Sequence, residues 1–164
     1  MWAGKMFGKS YKGRVHGSDL VDKLSSAIAK KPIRVGFLGG YGNVAQLSAE
    51  CLVKKYPGLK VAFASEEWDK DVAKKDCDIL FVAFGSPKQE KWIYENLPNI
   101  NVRVAIGVGG AFDFISGKVR RAPVWIRKIG LEWLFRLIIQ PWRIKRQLSL
   151  PKFVILVLKE RFQA

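Results

Sequence analysis

Cysteine and histidine are scarce in this 164-residue chain, and their scarcity argues against several kinds of chemistry. The two cysteines, Cys51 and Cys77, and the single histidine, His16, lack the spacing of a metal site. No Ser-His-Asp set, HxxxH or CxxC motif is present, so zinc chemistry and covalent nucleophilic catalysis are poorly supported. We interpret the cysteines as core thiols of a protein in a reducing compartment and His16 as a structural residue.

Long hydrophobic runs are also missing. The longest apolar run near the C-terminus, residues 153–158, is far shorter than the roughly 20 residues that a membrane-spanning helix needs, so none is predicted. There is no internal repeat and no low-complexity linker. An apolar content of 49% and a mean hydropathy of +0.01 nevertheless predict a globular chain with a substantial core.

Acidic residues are few, so the chain is strongly basic. It has 29 Lys and Arg against 14 Asp and Glu, for a formal net charge of +15. Residues 118–164 hold twelve of the basic residues and only two of the acidic ones. A charge of this size implies an anionic partner, which can be nucleic acid, an acidic membrane surface or a phosphorylated substrate.

What the chain does contain is an alternation of apolar runs with amphipathic stretches. Strands are predicted at residues 33–38, 59–64, 79–84 and 102–108, with a short charged helix at 66–75 and a long helical pattern at 124–139. Strand-helix-strand repeats at this interval form right-handed βαβ units, and continuous apolar strands indicate helices on both faces of the sheet. We therefore predict an α/β fold, with a Rossmann-like parallel sheet in residues 1–123 and a basic helical appendage in residues 124–164.

Glycines and polar residues follow three of the predicted strands. They occupy residues 39–42, where Asn43 is expected to cap the next helix, and residues 85–90 and 107–113. The carboxyl ends of parallel strands form the usual ligand edge of such a sheet. Backbone N–H groups at residues 39–42 can hold a phosphate, and Asp113 can orient a sugar hydroxyl or act as a base. A plain turn and a capping aspartate remain the alternatives.

A dinucleotide site is not predicted. The first glycine loop lacks the GxGxxG spacing, and no acidic residue is expected at the end of the second strand, where one would bind a ribose. An NAD-type oxidoreductase is therefore disfavoured.

Basic residues are grouped in two places near the C-terminus. Lys118, Arg120 and Arg121 can meet a diphosphate or form a solvated basic turn. Arg136, Arg143 and Arg146 follow at intervals of seven and three, which place them on one face of a helix. Such a face suits a diphosphate or anionic lipid, and an ordinary exposed face is the alternative.

Taken together, these segments resemble the WecG/TagA/CpsF glycosyltransferase family. The resemblance covers nearly the whole chain in order, and its specific parts are the runs GSPKQE and GGAFDF…RRAP…GLEW. The matching segments are residues 14–20, 37–40, 81–92, 107–114, 117, 120–123, 130–136, 141–143 and 146.

The resemblance implies a hexosyltransferase. It would move N-acetylmannosamine or its uronic acid from UDP to a polyprenyl-diphosphate-linked amino sugar, with inversion and without a metal or cofactor. It would act from the cytoplasm as a peripheral protein on the inner face of a bacterial membrane, in teichoic acid, common-antigen or capsule synthesis. The implied partners are the UDP-sugar, the lipid-linked acceptor and the anionic membrane, with homo-oligomers left open and no nucleic acid.

The resemblance and the strand-end pattern together give a set of candidate site residues. The predicted substrate-binding residues are Arg14, Gly39, Gly85, Gln89, Glu90, Gly109, Gly110, Asp113, Arg136, Arg143 and Arg146. The resemblance places the general base in an Asp-Gly motif upstream of Met1, with Asp113 as the weaker candidate inside the chain. The alternative function is a catalytically incomplete homologue, or a basic module that binds nucleic acid or acidic membranes.

Overall fold

A computed structural model of the protein describes residues 7–8, 15–141, 144 and 149–163. It divides into two compact units. The first unit consists of residues 15–120, and the second contains the described part of residues 121–164 together with residues 7–8.

The first unit is a four-stranded parallel sheet with helices between its strands. The strands are β1 (Arg34–Gly39), β2 (Lys60–Ser65), β3 (Cys77–Ala83) and β4 (Val102–Gly107). The helices are α1 (Gly17–Ile28), α2 (Val44–Lys55), α3 (Lys70–Ala73), α4 (Lys88–Asn96) and α5 (Ala111–Ile115). A 3₁₀ turn, Leu97–Asn99, extends α4.

The strand order β2-β1-β3-β4 creates a switch point in the sheet. The chain leaves β1 towards β2 on one side, and then crosses back so that β3 and β4 build the sheet in the opposite direction. In the register, Gly39 at the end of β1 is level with Ala83 at the end of β3, and Val82 is level with Gly107 at the end of β4. The carboxyl ends of β1, β3 and β4 therefore share one edge.

Helices cover both faces because neighbouring strand residues point in opposite directions. On one face, α1, α2 and α5 pack over Phe37 and Phe81, and Phe112 of α5 is 1% exposed. On the other face, Leu38 and Leu80 lie against the partly buried Trp92 of α4. The predicted Rossmann-like α/β arrangement is confirmed.

Some local predictions were wrong. Helix α3 is four residues long instead of ten, because the chain stays non-helical up to Asp69, whose side chain caps it. Asn43 precedes α2 in a left-handed conformation (φ 62°), and its side chain makes no capping bond. Cys77 is buried as expected, whereas Cys51 is exposed.

The second unit is helical. It contains α6 (Val124–Lys128), α7 (Glu132–Ile139) and α8 (Ser149–Gln163). The predicted continuous helix from 124 to 139 is broken, because Gly130 lies between α6 and α7 with φ 82°. In the part of the chain that the structure describes, no helix combines the length and apolar character needed to cross a bilayer.

Candidate functional site

Four of the predicted site glycines lie at the carboxyl edge of the sheet. Gly39 ends β1, Gly85 follows β3, and Gly109 and Gly110 follow β4. A Cβ on Gly39 would lie 2.9 Å from the backbone of Ala83, and its φ of 98° disfavours any side chain. The strand ends therefore approach each other closely at the switch point, which is where open α/β sheets bind ligands.

Gln89 and Glu90 occupy the first turn of α4 at the same edge. Gln89 is only 6% exposed. Its Oε1 accepts a hydrogen bond from Gly109 N–H (2.9 Å), and its Nε2 donates to Glu90 Oε1 (2.8 Å). The structure thus joins three of the predicted site residues, Gln89, Glu90 and Gly109, in one hydrogen-bonded group.

Asp113 lies on α5, directly after the glycines that follow β4. The preceding Phe112 holds α5 in the core, with its ring centroid 5.5 Å from that of Phe37 and its carbonyl accepting from Ser48 Oγ (3.1 Å). Asp113 itself is half-buried, and its carbonyl accepts from Val119 N–H (2.9 Å). Asp113 is therefore carried on a helix that the core fixes beside the carboxyl edge.

The first glycine loop is braced by two charged side chains. Lys118 Nζ donates to the carbonyls of Tyr41 (3.2 Å) and Gly42 (3.1 Å). On the other side, the backbone N–H of Asn43 donates to Glu66 Oε1. A cation and a carboxylate therefore meet the same short loop, at the start of α2.

Glu66 is a further residue at this edge that sequence reasoning did not select. As predicted, no acidic residue ends the second strand itself, because β2 ends at Ser65, but Glu66 follows that strand directly. The signal was present: extending the strand prediction from residue 64 to residue 65 places Glu66 at the strand exit. A carboxylate here favours a ligand hydroxyl, which can donate to it, over a phosphate, because two anions would repel each other.

The remaining predicted residues are one arginine of the second unit and three arginines outside the described residues. Arg136 is on α7 in the second unit, where its Nε donates to Gln140 Oε1 (3.1 Å). Arg14, Arg143 and Arg146 lie outside the described residues. Their assignment to the substrate site, like the site roles of the other residues, stays a prediction.

Comparison with known proteins shows which family this chain matches. A family model described as "Glycosyl transferase WecG/TagA/CpsF family" matches residues 1–164. Three similar proteins carry the name N-acetylglucosaminyldiphosphoundecaprenol N-acetyl-beta-D-mannosaminyltransferase. They come from Bacillus subtilis strain 168 (38% identical), Bacillus spizizenii (37%) and Staphylococcus aureus MRSA252 (30%).

These alignments use most of this chain but only part of each relative. They cover 90%, 94% and 90% of the chain and 60%, 63% and 61% of the relatives, respectively. The chain therefore spans less than two thirds of the length of the curated relatives it matches. Since the family match runs over the full 164 residues, the chain belongs to the WecG/TagA/CpsF family of glycosyl transferases.

Proposed function

We propose that this protein acts in the transfer of an N-acetylmannosamine-type sugar from UDP to a polyprenyl-diphosphate-linked N-acetylglucosamine. The names of the relatives support the acceptor and the transferred sugar. The single structural observation that carries the proposal is that Gly39 ends β1 level with the end of β3, and that Gly85 and Gly109 closely follow β3 and β4 at the same edge of the sheet.

Glu66 supports a nucleotide as the donor's leaving group. A carboxylate at the end of the second strand, beside the loop that follows the first strand, is where α/β nucleotide sites hold ribose hydroxyls. Glu66 has this position, and its Oε1 already accepts from Asn43 N–H. We propose that Glu66 accepts hydrogen bonds from the ribose of UDP.

The chemistry proposed for this edge is a single inverting displacement. The acceptor hydroxyl attacks the anomeric carbon as a base takes its proton, and the bond to UDP breaks, so that UDP departs with additional negative charge. Without a metal, fixed cations and N–H donors must stabilise that charge. We assign this task to Arg136, Arg143 and Arg146, and Asp113 is the base candidate that lies within the chain.

The second unit supports a peripheral position on the cytoplasmic face of a membrane. Its helices combine a basic composition with many exposed apolar side chains, as interfacial helices do. Large exposed residues include Val124, Trp125, Ile129, Trp133, Ile138, Ile155 and Leu156.

Binding of UDP by the intact chain tests the donor site. Calorimetric titration should detect UDP with modest dependence on salt. Glu66→Gln should weaken binding about tenfold, because replacing a hydrogen bond to a charged group (about 1.5–3 kcal/mol) by one to a neutral amide (about 0.5–1.5 kcal/mol) costs about 1.4 kcal/mol. Glu67→Gln, at the exposed neighbouring position, is the matched control and should bind like the wild type. Absence of UDP binding, with affinity for DNA that falls steeply with salt, would favour the nucleic-acid alternative instead.

Transfer of labelled N-acetylmannosamine to a short-chain polyprenyl-diphosphate N-acetylglucosamine tests the reaction itself. The proposal predicts a β-linked disaccharide product in the presence of EDTA. UDP binding without any product would support the alternative of a catalytically incomplete homologue.

A further inference from the structure

Gln89 is as buried as a core residue, and its side-chain amide forms hydrogen bonds to Gly109 and Glu90. We call these two hydrogen bonds the clamp. Gln89 is 6% exposed, although it lies in the first turn of α4, where polar side chains usually meet solvent. Both ends of its amide are used inside the protein, by Gly109 N–H and by Glu90 Oε1. A buried amide that is satisfied in this way is costly to remove, because its partners would be left without hydrogen bonds.

The end of β4 is shaped to accept this side chain. A Cβ on Gly107 would lie 2.7 Å from Gln89 Nε2 and 3.0 Å from its Cδ. Any larger residue at position 107 would therefore push the amide away. The absence of a side chain at Gly107 lets Gln89 lie across the strand exit and reach Gly109.

The bond from Gln89 to Gly109 connects the two helical layers of the first unit. Gln89 belongs to α4, which packs through Trp92 and Ile93 on one face of the sheet. Gly109 leads into α5, which packs through Phe112 on the opposite face. Helix α5 is therefore fixed from the core side by Phe112 and at its entry by Gln89.

We propose that Gln89 is a positioning residue, which holds the Gly109–Gly110 loop and thereby sets the place of α5 and of Asp113 at the carboxyl edge. Gln89 would then serve the site through the loop, with its Oε1 bonded to Gly109 N–H and its Nε2 to Glu90. The functional part of this inference rests on the proposed UDP-sugar transfer, whereas the structural part can be measured without any ligand.

An exchange of side chains between positions 89 and 90 tests the clamp. Gln89→Ala removes both hydrogen bonds, and Gln89→Glu places a second carboxylate against Glu90. The double variant Gln89→Glu/Glu90→Gln restores the pattern, because Glu at 89 accepts from Gly109 N–H and from the new amide at 90. Glu90→Gln alone keeps an acceptor for Gln89 Nε2 and is the matched single control.

Amide hydrogen exchange followed by NMR measures directly how well the clamp protects Gly109 N–H. Exchange at Gly109 N–H should become about tenfold faster in Gln89→Ala, as expected for losing a bond of about 1.4 kcal/mol. It should also be faster in Gln89→Glu, because repulsion from the Glu90 carboxylate moves the new carboxylate away from Gly109. It should return to near the wild-type rate in the double variant. The amide of Phe81, in the central strand β3, should exchange at the same rate in every variant.

Three results would overturn the clamp. In the first, the Gly109 amide of Gln89→Ala exchanges at the wild-type rate. In the second, the double variant does not recover the wild-type exchange rate. In the third, the Phe81 amide exchanges faster by the same factor as Gly109, which would mean a general loss of stability. UDP affinity should fall in Gln89→Ala and recover in the double variant. A wild-type protein that does not bind UDP would refute the proposed function and leave the exchange result to decide the clamp alone.

Discussion

At the scale of single residues, the loop after β4 depends on one polar and one aromatic side chain. Gln89 bonds the Gly109 amide, and Phe112 fixes the next helix in the core. The apolar residue could be assigned to the interior from its type alone. The burial of Gln89 could not, because it depends on the missing side chain at Gly107, a contact between distant parts of the sequence.

Phe112→Ala should be among the most destabilising substitutions in the first unit. Phe112 is 1% exposed and touches Phe37, so its truncation leaves a cavity in a close-packed core. We expect a loss of about 3–5 kcal/mol in the free energy of unfolding, measured with urea. Tyr94→Ala, at a position 85% exposed on α4, is the control and should change stability little. Equal losses in the two variants would contradict the core described here.

The two cysteines should differ strongly in reactivity. Burial raises the pKa of the Cys77 thiol from 9.0 to about 11, whereas Cys51 is exposed. Because only the thiolate reacts, the raised pKa alone reduces the reactive fraction of Cys77 about a hundredfold near neutral pH. Labelling with a maleimide at pH 7 should modify one thiol quickly and the second slowly, with the second rate rising as the pH increases. Fast modification of Cys77 in a Cys51→Ser variant would contradict this.

At the scale of elements, the sequence pattern did not predict correctly where some of the helices begin and end. Helical periodicity predicted ten residues for α3 and one continuous helix from 124 to 139. Local chemistry prevailed in both cases: Asp69 fixes the start of α3, and Gly130 separates α6 from α7. Periodicity reports which residues share a face, whereas caps and left-handed glycines determine where a helix begins and ends.

Asp69→Ala should destabilise the first unit through loss of the cap of α3. The Asp69 carboxylate accepts from the backbone N–H groups of Asp71 (3.0 Å) and Val72 (2.8 Å). Loss of such a cap costs about 1 kcal/mol, detectable as a lower urea midpoint. Asp71→Ala removes only an exposed ion pair with Lys74 and should have a smaller effect. A larger loss of stability in Asp71→Ala than in Asp69→Ala would mean that the Asp69 cap does not stabilise α3.

The apolar face of α7 should bind membranes if the second unit is interfacial. Leu134 and Ile138 are four residues apart, so they lie on the same helix face, and they are 38% and 72% exposed. Leu134→Ser/Ile138→Ser should reduce co-sedimentation with phosphatidylserine vesicles several-fold. Tyr94→Ser/Val104→Ser removes exposed apolar groups from the first unit and is the matched control. If both variants bound the vesicles equally well, α7 would not be part of the membrane-binding surface.

At the scale of the whole molecule, the sequence predicted the sheet and its ligand edge because both follow from general rules. Strand-helix alternation requires parallel strands, and parallel strands place the glycines after β1, β3 and β4 at one edge. The contact of Glu66 with the loop after β1 was beyond those rules. It required the true end of β2 and the bond across to the loop after β1, which only the folded chain shows.

Mapping UDP onto the first unit by NMR tests the central claim most directly. If the carboxyl edge holds the donor, titration with UDP should shift the backbone amides of Asn43, Glu66, Gly85 and Gly109. The amides at the opposite edge, such as those of Arg34 and Cys77 at the starts of β1 and β3, should not move. Shifts confined to that opposite edge, or no shifts at saturating UDP, would contradict the account.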